Sequence, residues 1–487
     1  AEWTIAAEYL ALKSVKVYPP ACLRSEEFHT LLKVSAGNLC LKDCDLHAQQ
    51  LLQNFQPQQW PWAMNPMQLR NPSHTTGQFC IKVHRAARVL VENCNFHNAL
   101  STALDLRCPK VSLSQCAFVD CGAAVDCGLT SQLQAASQRT CRRPSVEVLS
   151  CRFERSGSKR CSEGGRRSAV SGGRPAVLVR KQFARAVVKD CVFQNVSDAI
   201  ATNCTSQIVS NKITVADTAI LVNKGQHSKK DLKELEDEAS VSIDFDERSE
   251  ATDAHPAAQA DAPNLRNGEE EITEIRENQL DCCHFGVVVS HIPQVLVSHN
   301  QVENSTCAIF LKQLGDGSSN ASRVECNTVS KGHGDAVMIE NSPVHLSANQ
   351  LQMGHRGIWI DGRGSRGMPE FTITDNQISG ASSTGIEVVG KSRWWSQDSA
   401  CQSARRSELV EVEGEELERW NDAMTGRSEQ SMQSATGTIA NNSVTCSGRG
   451  LLLQDVSALV EGNVLAQNHG WALHFDLRFA EPSAQSA

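Results

Sequence analysis

The sequence lacks an apolar run long enough to cross a membrane, and its first residues do not have the pattern of a signal peptide. Its most apolar stretches also lack the spacing of apolar residues that amphipathic helices show. The formal net charge of −8 is mild for 487 residues, and much of it lies in an acidic segment, residues 225–271. We therefore expect no membrane association, no helical bundle and no general nucleic-acid surface.

What the sequence does contain is one short pattern: a Cys or Asn, then any residue, then a large apolar residue. The closest copies are 20–22 residues apart, and a period of this size is typical of stacked repeat architectures. The thirteen copies begin at Cys44, Cys94, Cys116, Cys151, Cys191, Asn211, Asn278, Asn300, Asn327, Asn349, Asn376, Asn442 and Asn463.

Two short apolar runs accompany the copies. One directly precedes the Cys or Asn, as in 295–297, and the other lies about 14 residues earlier, as 357–360 does relative to 371–373. Both runs alternate with period two, as strands with one buried face do. Two or three short strands per repeat predict an all-β protein, a right-handed parallel β-helix of about 13 turns whose inner faces form one continuous core.

The Cys/Asn positions are predicted to form an inward ladder at a sharp bend. Successive turns lie about 4.8 Å apart, so that identical side chains align and Asn amides can hydrogen-bond along the stack. Cys is expected to fill the same slot as a small apolar residue, without those bonds. Reduced thiols in this column, rather than disulfides, predict a cytoplasmic or nuclear location.

The repeats predict one long domain, residues 31–478, between an N-terminal segment or cap (1–30) and a C-terminal tail (479–487). Loop insertions are expected near 50–75, 128–143, 155–174, 225–271 and 391–437, because their composition is polar or charged. The first residue is Ala1 rather than Met, which is compatible with a longer protein.

The Gly-Ile-x-Ile runs and the Val-x-Ile-x-x-Asn-x-Ile pattern resemble the pectin-lyase-like β-helix superfamily over most of the chain. The Cys-rich turns look most like its intracellular, apparently non-catalytic members, the F-box β-helix proteins and the Shc SH2-domain-binding protein family. That resemblance implies a protein-interaction scaffold or substrate-recognition module, as in an adaptor or ubiquitin-ligase-type protein. Its partner would be a protein, and we expect no cofactor and no metal.

The alternative implied by the resemblance is a carbohydrate-active enzyme, a lyase, hydrolase or epimerase. Of the polygalacturonase-like motifs only Gly332-His333-Gly334 occurs, and short motifs of this kind often arise by chance. The strand register places Lys312, Glu340 and Asp361 in one outward column and Glu387 in the next. Paired carboxylates can serve glycoside hydrolysis, but a ladder of structural charges, with Lys312 and Glu340 paired across turns, has the same appearance.

The same register predicts an outward apolar strip, with one residue from each of four turns. These residues are Val288, Phe310, Met338 and Trp359. Contiguous exposed apolar side chains usually mark an interaction site, so the strip is the predicted partner-binding surface. A loop of the chain itself, 225–271 or 391–437, is an equally good candidate to cover it.

Overall fold

The computed structural model describes most of the repeats. The described residues are 3–14, 16–17, 30–47, 79–84, 86–97, 99, 102–130, 133–134, 143–156, 174–224, 272–315, 321–363, 369–390, 437–456 and 458–476. The predicted insertions at 50–75 and 225–271, most of those at 155–174 and 391–437, and the tail at 479–487 lie outside them. Within these ranges, no helix is long and apolar enough to span a membrane.

The chain is a right-handed parallel β-helix, as predicted. Every strand pairing is parallel, and each turn contributes one strand to each of three faces, which we name A, B and C. Face A precedes the Cys/Asn ladder, face B follows it, and face C carries the Gly-Ile-x-Ile runs. The described parts of residues 1–30, predicted as a segment or cap, include strands that pair with the first turn and extend the same sheets.

Face A contains twelve separate strands. They are β6 (Ala86–Glu92), β9 (Lys110–Ser114), β12 (Ser145–Leu149), β15 (Arg185–Lys189), β18 (Thr205–Val209), β20 (Thr273–Arg276), β22 (Val295–Ser298), β25 (Ser322–Glu325), β28 (Val344–Ser347), β31 (Phe371–Thr374), β34 (Gly437–Ala440) and β37 (Ala458–Glu461). Two longer strands pass from face C to face A without a break; they are β1 (Trp3–Lys13) and β3 (Thr30–Lys42).

Face B consists mostly of strands of two or three residues. They are β2 (Lys16–Val17), β4 (Asp45–His47), β7 (Asn95–His97), β10 (Ala117–Val119), β13 (Arg152–Glu154), β16 (Val192–Gln194), β23 (Gln301–Glu303), β26 (Thr328–Gly332), β29 (Gln350–Met353), β32 (Gln377–Ser379), β35 (Ser443–Thr445) and β38 (Val464–Ala466). Two strands continue from face B into face C; they are β19 (Lys212–Asn223) and β21 (Gln279–Ser290).

Face C carries the residues from which a functional site can be built. Its separate strands are β5 (Phe79–His84), β8 (Thr102–Arg107), β11 (Ala123–Gly128), β14 (Pro175–Val179), β17 (Asp198–Thr202), β24 (Cys307–Lys312), β27 (Asp335–Glu340), β30 (Arg356–Asp361), β33 (Thr384–Val389), β36 (Arg449–Gln454) and β39 (Leu473–Asp476). Ile358 and Ile360 point inward and are fully buried, so their neighbours in β30 point outward.

A left-handed residue makes the bend between faces A and B. The residue just before each ladder position has a positive φ, for example 55° at His299, 54° at Ala348 and 64° at Gly462. This conformation is uncommon for residues other than Gly, and here nearly every turn uses it. The bend therefore depends on interactions that hold the next residue in place, rather than on glycine.

The Asn ladder supplies those interactions, as predicted. Asn300 Oδ1 accepts from the backbone N of Asn278 at 3.0 Å and from its Nδ2 at 2.9 Å. Asn300 Nδ2 donates to the Ile275 carbonyl at 2.9 Å and to Asn327 Oδ1 at 3.0 Å. The same bonds recur from Asn211 to Asn463, so each buried amide ties a bend to the turns on both sides.

The thiols of the earlier turns also hydrogen-bond, which differs from the expectation that Cys fills the slot without bonds. Cys94 Sγ donates to the Glu92 carbonyl at 3.2 Å, and the backbone N of Cys44 donates to Cys94 Sγ at 3.4 Å. At the junction, the backbone N of Cys191 donates to Asn211 Oδ1 at 3.0 Å. Sulfur thus replaces the amide in the same positions, with longer and weaker contacts.

A stack of phenylalanines lies beside the Cys part of the ladder. Phe96, Phe118, Phe153 and Phe193 follow their ladder cysteines by two residues, and neighbouring ring centroids are 4.5–5.0 Å apart with nearly parallel planes. In the Asn turns the corresponding residues are aliphatic, as with Val302. The small thiol and the large ring together fill the space that Asn and an aliphatic side chain fill later.

The ladder can be tested by replacing Asn300 with Leu. We expect a loss of about 1–3 kcal/mol in the free energy of unfolding, because the Asn278 amide and the Ile275 carbonyl lose their partners. Urea denaturation measures the change. Gln377→Leu, the same kind of exchange at an exposed face B position, is the control and should change little. An Asn300→Leu protein as stable as the parent would contradict the ladder.

The redox state of the ladder gives a second prediction. Burial raises the pKa of the Cys94 thiol to about 12, so this group is protonated at neutral pH. In the folded protein without reductant, iodoacetamide should modify the exposed Cys326 and Cys446 but not Cys94, Cys116, Cys151 or Cys191. Mass spectrometry of the labelled peptides checks this. Disulfides between consecutive turns would show that the stacked-thiol interpretation is wrong.

Candidate functional site

The register of face C brings the predicted site residues together. In the strand register, Lys312 pairs with Glu340, and Glu340 pairs with Asp361 in the next turn. The three side chains form one outward column. A second outward column contains Val288, Phe310, Met338, Trp359 and Glu387 in successive turns. Both alignments agree with the sequence prediction, because inward and outward residues alternate along each strand.

Two of the three candidate catalytic carboxylates are in ion pairs. Lys312 Nζ lies 2.9 Å from Glu340 Oε2, which is the predicted pairing across turns. Asp361 binds Arg363, whose Nη2 lies 2.6 Å from Oδ2 and whose backbone N donates to Oδ1 at 2.9 Å. Glu387 is half-buried in the column of Trp359. Sequence analysis missed Arg363, which lies in the turn after β30 and belongs to no strand pattern.

A third ion pair links these columns to the corner between faces B and C. Asp335 accepts two hydrogen bonds from Arg356, at 2.9 Å from Nε and 2.8 Å from Nη2, and a third from His355 Nδ1 at 3.2 Å. The guanidinium carbon of Arg356 lies 3.8 Å from the centroid of the Trp359 ring, which is a cation–π contact. The carboxylate therefore orients the arginine over the tryptophan.

The charge state of Asp335 follows from two opposed effects. Burial raises its pKa, and the hydrogen bonds and charges of His355 and Arg356 together outweigh burial, so the pKa lies below the ordinary aspartate value. Asp335 is thus an ionised structural group at neutral pH. A general acid needs the opposite shift, toward neutral pH.

The apolar strip is only partly accessible. Val288 and Phe310 are 5% and 1% exposed, although the register points them outward, whereas Met338 and Trp359 are half-buried. The Trp359 indole Nε1 is buried and has no hydrogen-bond acceptor among the described residues. The two loops considered as covers, 225–271 and 391–437, lie almost wholly outside those residues. The accessible part of the strip is therefore its Met338–Trp359 end.

A charged cluster in the earlier turns of face C was not predicted. Asp105 and Asp126 occupy adjacent positions of the second column, and Arg107 Nη2 lies 2.7 Å from Asp105 Oδ1. Arg180 donates to both Asp126 oxygens, at 2.9 and 2.7 Å. The alternation rule applied to residues 103–106 and 123–128 would have found both acids. Because both carboxylates are paired, the cluster resembles the ion pairs of the later turns.

Three comparisons with known proteins bear on this site. A family model described as "Periplasmic copper-binding protein (NosD)" matches residues 264–395. The matched stretch includes β24, β27, β30 and β33, the face C strands that carry the two columns. No curated protein and no solved structure matches the chain. The chain is thus similar to a β-helix-type family over about a quarter of its length.

This match contradicts the predicted cytoplasmic or nuclear location. The family is described as periplasmic, which points to an extracytoplasmic location. The prediction rested on cysteines that do not form disulfides, and the described cysteines are indeed free. The free state of the ladder cysteines follows from their burial in the core, where the thiols bond to backbone carbonyls, and so it gives no information on the compartment.

The described residues do not fit a copper site. Copper sites in proteins use Cys, His and Met ligands, with Cys bound as the thiolate. Among the residues that the structure describes, no group of three or more His, Cys, Asp or Glu side chains could hold a metal ion. The ladder thiols donate to backbone carbonyls, and burial raises the pKa of the Cys94 thiol to about 12. The part of the chain that the structure describes therefore shows no group of three or more His, Cys, Asp or Glu ligands for the copper named in the family's description.

The Asp335–Arg356 pair makes a testable contribution to stability. Asp335→Asn should lower the free energy of unfolding at pH 7 by about 3 kcal/mol, because it removes one partner of a mostly buried ion pair. The folded-state pKa is depressed, so the ionised carboxylate stabilises the protein above about pH 4 and this contribution is lost as the pH falls further.

Denaturant titrations at a series of pH values measure the effect. The difference between the parent and Asp335→Asn should shrink as the pH falls from 7 to below 4, where the parent's own carboxyl becomes protonated. Asp190→Asn, at an exposed bend, serves as the control and should change stability little at either pH. A difference that stays constant with pH would show that the charge of Asp335 does not stabilise the fold.

Proposed function

We propose that this chain is a non-catalytic β-helix domain that binds a protein partner on face C, at the end of the strip formed by Met338 and Trp359. The observation that carries the proposal is the state of Trp359. Its ring is half-buried, Arg356 stacks on one side, and its indole N–H is buried with no acceptor among the described residues. Aromatic residues are frequent anchors in protein interfaces, and the accessible part of this ring would pack against an apolar side chain of the partner.

The ion pairs support a binding role over a catalytic one. Glycoside hydrolysis needs one carboxyl that is protonated near neutral pH and a second that is free to act as nucleophile or base. Glu340 and Asp361 are paired with Lys312 and Arg363. The carbohydrate-active alternative is therefore not favoured, and the column is better understood as a rigid border to the binding surface.

The proposal does not rest on the likeness to F-box β-helix proteins or to the Shc SH2-domain-binding family. That likeness stays a prediction, and the adaptor role that it implied presupposed the intracellular location that the family match contradicts. What supports the proposal is the arrangement of face C itself. A β-helix holds side chains from successive turns at a fixed spacing, which suits an extended and rigid binding surface.

Trp359→Ala tests the proposal. The tagged parent chain and the variant are used to capture proteins from an extracytoplasmic fraction of the source organism, and recovered proteins are quantified by mass spectrometry. We expect a partner retained by the parent to fall about tenfold or more with Trp359→Ala, because losing an aromatic anchor commonly costs about 2 kcal/mol. Leu459→Ala, which truncates an exposed apolar residue of β37 on face A, is the control.

Two results would count against a binding role. If Trp359→Ala lowers the melting temperature sharply while binding per folded molecule is intact, the ring is a packing residue and the interface lies elsewhere. If the parent chain degrades a polyuronate and Asp361→Asn abolishes that activity, the carbohydrate-active alternative is correct.

A further inference from the structure

An open groove of about 530 Å³ lies at the corner between faces B and C in the later turns. It is distinct from the strip on face C. The residues that line it are His355, Ser382, Ser383, Gly448, Arg449, Gly470 and Trp471. They come from successive turns, so the groove follows the stacking direction.

Small residues form the floor of the groove because the backbones of successive turns meet there. The Ser383 amide donates to the His355 carbonyl at 3.0 Å, and the Arg449 amide donates to the Ser383 carbonyl at 2.7 Å. A Cβ on Gly448 would lie 2.2 Å from the Ser382 carbonyl oxygen, so this position requires glycine. The walls are then the larger side chains of His355, Arg449 and Trp471.

The groove presents hydrogen-bond donors and one aromatic face. Arg449 is exposed and has no ion pair among the described residues, and none of the lining residues is acidic. Ser382 and Ser383 add hydroxyl groups, and His355 is oriented by its bond to Asp335. Trp471 is 68% exposed. In a chain with a net charge of −8, this local group of hydrogen-bond donors suits an anion.

We infer that this groove binds a small ligand that carries a carboxylate on a ring. The carboxylate pairs with the Arg449 guanidinium, which can donate two parallel hydrogen bonds, and the serine hydroxyls bind the remaining acceptors. The flat face of the ring packs against Trp471. A sugar acid and an aromatic acid share this chemistry. The inference stands independently of the protein-binding role of Trp359.

An extended acidic peptide fits the groove less well. A peptide commonly adds to a surface through main-chain hydrogen bonds to free backbone groups. Here the Ser383 and Arg449 amides and the His355 and Ser383 carbonyls are already bonded between turns. Side chains must therefore recognise the ligand. They come from a few successive turns about 4.8 Å apart, and this short length of groove suits a compact ligand.

Isothermal titration of the full chain with sodium benzoate and with sodium D-glucuronate tests the inference. At least one ring acid should bind, and its dissociation constant should rise at least tenfold with Arg449→Gln and with Trp471→Ala. Arg323→Gln, which removes an exposed arginine of β25 on face A, is the matched control and should bind as the parent does. Tighter binding of glucuronate indicates a sugar acid, and tighter binding of benzoate indicates an aromatic acid.

Two further measurements, with Ser382→Asp and with acetate, complete the test. Ser382→Asp places a carboxylate at an exposed position in the groove and should abolish binding by charge repulsion, even if Arg449→Gln proves unstable. Acetate should bind much more weakly than the ring acid. The inference is overturned if neither ring acid binds at millimolar concentration, if acetate binds equally well, if Ser382→Asp binds as the parent does, or if only an acidic peptide binds.

Discussion

The hydrogen-bonded ladder at the bend between faces A and B is the interaction on which the rest of the structure depends. Each turn enters that bend through a left-handed residue that is seldom glycine, as at His299, and the cost of this conformation is offset by the amide or thiol that follows. Because the bonds join each bend to its neighbours on both sides, the turns cannot slip relative to one another. A slip of one residue would exchange inward and outward side chains along every strand.

Fixed register is also what creates the sites. Lys312, Glu340 and Asp361 are far apart in the sequence and become neighbours only because β24, β27 and β30 stack in register. Lys312 then pairs with Glu340, and Asp361 pairs with Arg363. At the corner, where Arg449 has no ion pair with any residue that the structure describes, the same stacking leaves an open donor-rich groove. Face C and its corner are thus two surfaces with different chemistry.

Burial keeps the ladder cysteines free of disulfides, and a reducing compartment would have the same effect. Cys94 remains reduced in the fold because it is buried, protonated and bonded to a backbone carbonyl. Those causes act in any compartment, so the absence of disulfides in the ladder carries no information on location. The match to a family described as periplasmic does carry such information. The burial and hydrogen bonds of the ladder thiols therefore explain their free state without a cytoplasmic or nuclear location.

The sequence by itself determined the fold, the ladder and the face of each strand residue, because a repeat with period-two alternation leaves one way to bury its apolar residues. It also placed Trp359 beside Met338 and Glu387. Only the tertiary structure decided that Asp361 pairs with Arg363 and Asp335 with Arg356, because Arg363 lies in a turn and Asp335 lies at the start of β27. It also decided that Phe310 is buried and that Arg449 and Trp471 share a groove. These outcomes depend on how far each side chain extends and on how successive turns pack. The alternation of inward and outward residues gives no information on either.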